Sequence, residues 1–122
     1  MDKFLICHVD GENHGLMDYI LESGMDIADS VCPAPMTKLS FSDYYSFFRD
    51  KIAIWGGIPS NAMLRETMPD ADFYPYIDDI FSNLGNGKRL LISIADTLPP
   101  AAQFDRLEHI ARMCREFGPV NP

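Results

Sequence analysis

Lys51-Ile52-Ala53-Ile54-Trp55-Gly56 is a short β-rich run that passes directly into Gly57-Ile58-Pro59. Three other runs share its form: Lys3–Val9 and Asp26–Val31 before it, and Arg89–Ala95 after it. Each gives way to polar or glycine residues and then to a helix-like stretch, so the chain reads as a succession of βα units. In parallel α/β architectures the binding and reacting groups sit where strands end and loops begin. That rule shortlists His8, Asp10, Asp29, Cys32, Trp55, Gly56, Gly57 and Asp96.

Between the strands the helix signals are specific. Leu16, Met17, Ile20 and Leu21 form a helical apolar stripe that Gly24 ends. Pro33 and Pro35 stop the second strand, because each lacks the N–H that a ladder needs. Ser40, with Asp43 three residues on, predicts a capped helix whose aromatic face uses Phe41, Tyr44, Tyr45, Phe47 and Phe48. A short helix is expected near Ser60–Arg65 and a longer one from Asp70 to Leu84, closed by Gly85-Asn86-Gly87. The last helix, Gln103–Glu116, presents Phe104, Leu107, Ile110, Ala111 and Cys114 on one face. Phe4-Leu5-Ile6-Cys7 is almost continuously apolar, the pattern of a parallel strand covered on both faces, and so predicts a central strand.

The 122 residues make one domain, 1–122, and 47% hydrophobic residues suffice for a globular core. A closed (β/α)8 barrel takes about 250 residues, so four units amount to half of one. The expected fold is therefore α/β, a parallel (βα)4 half of a TIM barrel. A net charge of −8 with no basic stripe argues against nucleic acid. Cys7, Cys32 and Cys114 are odd in number and form no C-x-x-C pair, which points to a reduced, cytoplasmic setting. No apolar run approaches the ~20 residues that span a bilayer, so no membrane partner is expected. His14 and His109 lie among polar neighbours and read as solvated. No G-x-S-x-G elbow is present to support a serine nucleophile.

His8-Val9-Asp10-Gly11, Glu22-Ser23-Gly24-Met25-Asp26, Lys51–Pro59 and Leu91–Pro100 together resemble, in order and spacing, the C-terminal half of the uroporphyrinogen decarboxylase superfamily. The resemblance covers essentially the whole chain and implies the last four βα units of a barrel. One branch, the decarboxylases, acts on a tetrapyrrole without cofactor or metal, using groups from the N-terminal half; where that branch has a late histidine this chain has Asp96. The other branch comprises corrinoid-dependent methyltransferases, whose zinc ligands follow His-x-Cys-Gly on one strand and a cysteine at the end of the last. Those positions match His8, Asp10 and Asp96, so the histidine is kept and both thiolates have become carboxylates.

A set of one imidazole and two carboxylates binds Zn²⁺ at about 2.0–2.2 Å and also widens the choice toward Mn²⁺ or Fe²⁺. His8, Asp10 and Asp96 are thus candidate metal ligands, with Asp10 and Asp96 also candidate catalytic carboxylates. Contact with a substrate without metal, and simple capping of the following helices, are the alternative roles for the same three residues. Trp55, Gly56, Gly57 and Cys32 are candidates for the substrate wall, set against a tight turn for the glycines and a small buried hydrophobe for Cys32. The resemblance implies a metal-assisted methyltransferase that takes a methyl group from a corrinoid on a partner protein. The alternatives are a cofactor-free uroporphyrinogen decarboxylase-type lyase and a silent half-barrel or binding module. The open strand edges of a half-barrel predict a homodimer or a separate N-terminal half-barrel as partner.

Overall fold

The computed structural model describes residues 3–120. Its elements alternate: β1 (Ile6–His8), α1 (Met17–Glu22), β2 (Ile27–Val31), α2 (Phe41–Phe48), β3 (Ala53–Ile58), a 3₁₀ turn (Ser60–Met63), α3 (Asp70–Ser82), β4 (Leu90–Ile94) and α4 (Phe104–Phe117). The strands form one parallel sheet in the order β1-β2-β3-β4. With neighbours taken in sequence order, right-handed crossovers bring every helix to the same face. Burial agrees. Ala28 and Ile54 are fully buried in one cluster with residues of all four helices, among them Ile20, Phe48, Phe73 and Ile110. Residues of the other face, Ile6, Trp55 and Leu91, are 47%, 39% and 45% exposed.

Two expectations for β1 are corrected by this topology. β1 is an edge strand, and its sheet is covered on one face only. Its apolar residues Phe4, Leu5 and Ile6 are exposed. Ladder pairing starts late because Asp26 intercepts the chain: its carboxylate accepts the Leu5 N–H at 2.8 Å, and its own N–H donates to the Leu5 carbonyl at 2.9 Å.

The helix ends follow their local chemistry. Gly24 takes φ +80° just past α1, a conformation cheap only for glycine. At α2 the Ser40 hydroxyl oxygen accepts the Asp43 N–H at 3.1 Å and Asp43 accepts the Ser40 N–H at 2.8 Å, completing a capping box. Phe41, Tyr44, Tyr45 and Phe48 are buried as the aromatic pattern predicts, while Phe47 is exposed and meets Phe48 edge-on.

Hydrogen bonds from the Ser40 side chain, and then from its backbone, hold the Asp43 carboxyl below its ordinary value of 3.8. A depressed carboxyl stabilises the fold above its unfolded-state value and loses that contribution as pH falls through its lower folded value. Ser40→Ala should therefore cost about 1 kcal/mol at neutral pH. Chemical-denaturation curves should show that gap narrowing once the pH falls below 3.8. A gap constant down to full acid unfolding would mean that the box carries no charge-dependent stability.

In α4 the expected apolar face is only partly inside. Ile110 is buried, but Phe104 and Cys114 are exposed and the fully buried side chain is Arg106. Its guanidinium donates to the Ala62 carbonyl and to Asp70, both at 2.6 Å, and lies 4.4 Å from the Phe73 ring centre. These partners bury a charged side chain that the hydropathy pattern places outside, while Leu107, Ile110 and Met113 pack on the core. His109, one turn on, is likewise half-buried against Phe73 and Tyr74 rather than solvated. Among the described residues no helix is long and apolar enough to cross a membrane.

Candidate metal centre

The end of β1, the middle of β2 and the bend beyond β4 bring the chemistry-bearing residues together. His8 closes β1 and pairs in register with Asp29 of β2, which pairs with Trp55 of β3, which pairs with Leu91 of β4. Residues paired across parallel strands project to the same side of the sheet. Here that is the open face, so His8, Asp29 and Trp55 form one row. Asp29 Oδ2 lies 2.8 Å from His8 Nδ1. The other ring nitrogen, Nε2, faces Asp96 Oδ1 at 3.8 Å.

Asp10 completes the group: one donor atom from each of His8, Asp10 and Asp96 falls within 4.8 Å of the other two, and all three residues are exposed. The loop carrying Asp10 is tied down by buried Asn13, whose side-chain amide donates to the Val9 carbonyl at 2.6 Å. Glu12 adds a second tie, accepting the Lys38 N–H at 2.9 Å.

Asp96 is placed by a different device. β2 and β3 pair Asp29 with Trp55 and then Val31 with Gly56, leaving Ser30 as an extra residue at φ +61°. The Ser30 side chain is buried, and its oxygen accepts the Asp96 N–H at 2.6 Å. Asp96 itself sits at φ +56°, in the first bend beyond β4.

Electrostatics follow from this crowding. Chiefly through its hydrogen bond to Asp29, and then through the charges of Asp29, Asp10 and Asp96, the His8 imidazole holds its proton above the usual histidine range; partial desolvation opposes this. A cation surrounded by three carboxylates is thereby favoured, whether that cation is a proton or a metal ion.

This chain matches no family model, no curated protein and no solved structure. What its residues can hold is therefore judged from their donor chemistry. Zinc bonds of about 2.0–2.2 Å place neighbouring donors roughly 3.3 Å apart, so the 3.8 Å between His8 Nε2 and Asp96 Oδ1 closes with a small rotation of an exposed carboxylate. The His8 ring is also presented as metal-binding imidazoles are, with the nitrogen away from the ligand field held by a carboxylate. His8 and Asp96 fit a divalent ion on these counts, and an Asp10 carboxylate oxygen lies within 4.8 Å of both.

The wall residues are placed unevenly. Trp55 stands on the open face beside Asp29. Gly56 and Gly57 lie inside β3 and are buried, so they form a strand rather than a tight turn. A side chain on Gly57 would strike the Phe41 ring at 2.7 Å, and one on Gly56 would strike the Val31 backbone at 2.8 Å. Cys32 is 2% exposed, with its sulfur 3.8 Å from Met36 Sδ. Burial, helped by the charges of Asp10 and Asp96, pushes its thiol up to about 11, so it stays neutral beside the site. Room for a ligand lies elsewhere: a groove of about 570 Å³ between β4 and α4 has Asp96, Ile94, Leu98 and Leu107 in its walls. A smaller hollow of about 230 Å³, lined by Phe81, Leu84 and Phe117, sits at the other end of β4, away from His8.

Asp29 belongs to the strand-end shortlist, but its partnership with His8 follows from a register that the sequence does not print. Ser30 carried no signal at all.

Proposed function

We propose that this chain is the metal-binding half of a (β/α)8-type methyltransferase, in which His8, Asp10 and Asp96 hold one divalent ion. The observation that carries the reading is the convergence of these donors from two strand ends within 4.8 Å, with the His8 ring already oriented by Asp29. A divalent ion held there would act as a Lewis acid, lowering the pKa of a bound methyl acceptor. The chain's own residues supply the rest: Trp55 flanks the trio on the open face, and the groove beside Asp96 offers an apolar bed. The choice of methyl transfer, with a corrinoid on a partner protein as donor, rests on the sequence resemblance alone.

A parallel sheet with helices on one face and open edges at β1 and β4 is what half a barrel requires. The exposed Phe4, Leu5, Ile6 and Leu91 support a second half, a copy of this chain or a separate half-barrel, completing it.

Native mass spectrometry of protein incubated with Zn²⁺ and freed of excess tests both parts. About one ion per chain, on a particle of about two chains, is the expected result. Metal-free protein would overturn the metal reading, and a monomer would overturn completion by a second copy.

A further inference from the structure

The register between β2 and β3 slips at Ser30, beside the trio. In a regular strand Asp29 and Ser30 would face opposite sides, and only one could serve the site. The extra residue at Ser30, with φ +61°, lets both do so. Asp29 reaches His8 Nδ1 at 2.8 Å, and Ser30 receives the Asp96 N–H at 2.6 Å. One irregular step of β2 thus contacts both ends of the metal-binding group while contributing no ligand to it.

We infer that Asp29-Ser30 is a positioning element: Asp29 keeps the His8 proton on Nδ1 so that Nε2 is free toward Asp10 and Asp96, and Ser30 fixes where the Asp96 backbone begins. The inference rests on the proposed metal site, but its geometric half can be read without any metal. An imidazole with one nitrogen held by a carboxylate adopts one tautomer, whereas a ring released to water does not. The buried Ser30 hydroxyl is the acceptor that holds the Asp96 N–H, so its removal deletes that tie on the Asp96 backbone.

The test has two readouts. Long-range ¹H–¹⁵N spectra of metal-free protein, taken at a pH where the same spectra show His8 to be neutral, should give the Nδ1–H form in wild type, a mixture in Asp29→Ala, and the Nδ1–H form again in Asp29→Glu, which keeps a carboxylate acceptor. Zn²⁺ titration should show affinity about tenfold to a hundredfold lower in Asp29→Ala, with most of it restored in Asp29→Glu. Ser30→Gly, which keeps the left-handed backbone while removing the hydroxyl, should weaken Zn²⁺ binding to a similar degree.

An unchanged His8 tautomer in Asp29→Ala would overturn the positioning role even if zinc binds. Full zinc affinity in both Asp29→Ala and Ser30→Gly would also overturn it. A wild type that shows the Nδ1–H form yet takes up no zinc would instead overturn the metal site and leave the orientation of His8 by Asp29 standing.

Discussion

Gly56→Ala is expected to be the most damaging single substitution in the core of this fold. Gly56 sits at φ +140°, a backbone region that side chains rarely enter. An added Cβ would meet both the nitrogen and the oxygen of Val31 at 2.8 Å, inside any real contact distance. Those atoms belong to the backbone of β2 immediately after the irregular step, so relief requires the strand itself to move. Overpacking costs about 1–3 kcal/mol and backbone strain a similar amount, together roughly 4 kcal/mol. Against a total stability of about 5–15 kcal/mol that is a large share. The melting temperature should fall by about 15 °C.

Gly57→Ala supplies the comparison. Gly57 sits at φ +96° and shares the backbone strain, but its new methyl would meet the edge of the buried Phe41 ring at 2.7 Å, a side chain and not the backbone of a strand. It should therefore be milder than Gly56→Ala. Calorimetry of the two variants checks the order, and a Gly56→Ala melting point within about 2 °C of wild type would show that β2 and β3 do not press on each other there.

The same contact explains what was and was not legible in the sequence. The strands could be read because Ile-, Leu- and Val-rich runs end at glycine or proline, and the α2 cap because Ser40 and Asp43 carry the chemistry of their own hydrogen bonds. Glycines at 56 and 57 marked a place needing freedom, but hydropathy cannot say whether the pressure comes from a turn, a ligand or a neighbouring strand. The cause is the slip at Ser30, created by pairing between strands. Strand order is equally silent in local pattern: Phe4-Leu5-Ile6-Cys7 has the composition of a central strand and occupies an edge. Arg106 is the opposite case, a charged residue whose burial depends on Ala62, Asp70 and Phe73 from other segments. His8, Asp10 and Asp96 stand in the sequence shortlist because strand ends are where such groups gather, and the fold brings the three together. The supporting roles of Asp29 and Ser30 were not legible, since both act through contacts between strands and the loops beyond them.

His8→Ala should remove metal binding with almost no cost to the fold. The side chain is 52% exposed and its hydrogen bond is to Asp29, at the surface. Substitutions at such places change stability by within about 0.5 kcal/mol, so metal-free wild type and His8→Ala should melt within about 2 °C of each other. Zinc should then separate them. A ligand at a hundred times its Kd stabilises the form that binds it by about 2.7 kcal/mol, a rise of roughly 10 °C for a chain of this size. Loss of an outer partner weakens a metal site by about tenfold to a hundredfold, and loss of the nitrogen donor itself should exceed that. The wild-type melt should thus rise on adding Zn²⁺ while the His8→Ala melt stays where it was. Asp96→Ala is expected to behave as His8→Ala does, because its carboxylate faces Nε2 across 3.8 Å and supplies the opposing donor. Equal rises in wild type and both variants would place the ion away from these residues. The absence of a rise in all of them would overturn the metal site.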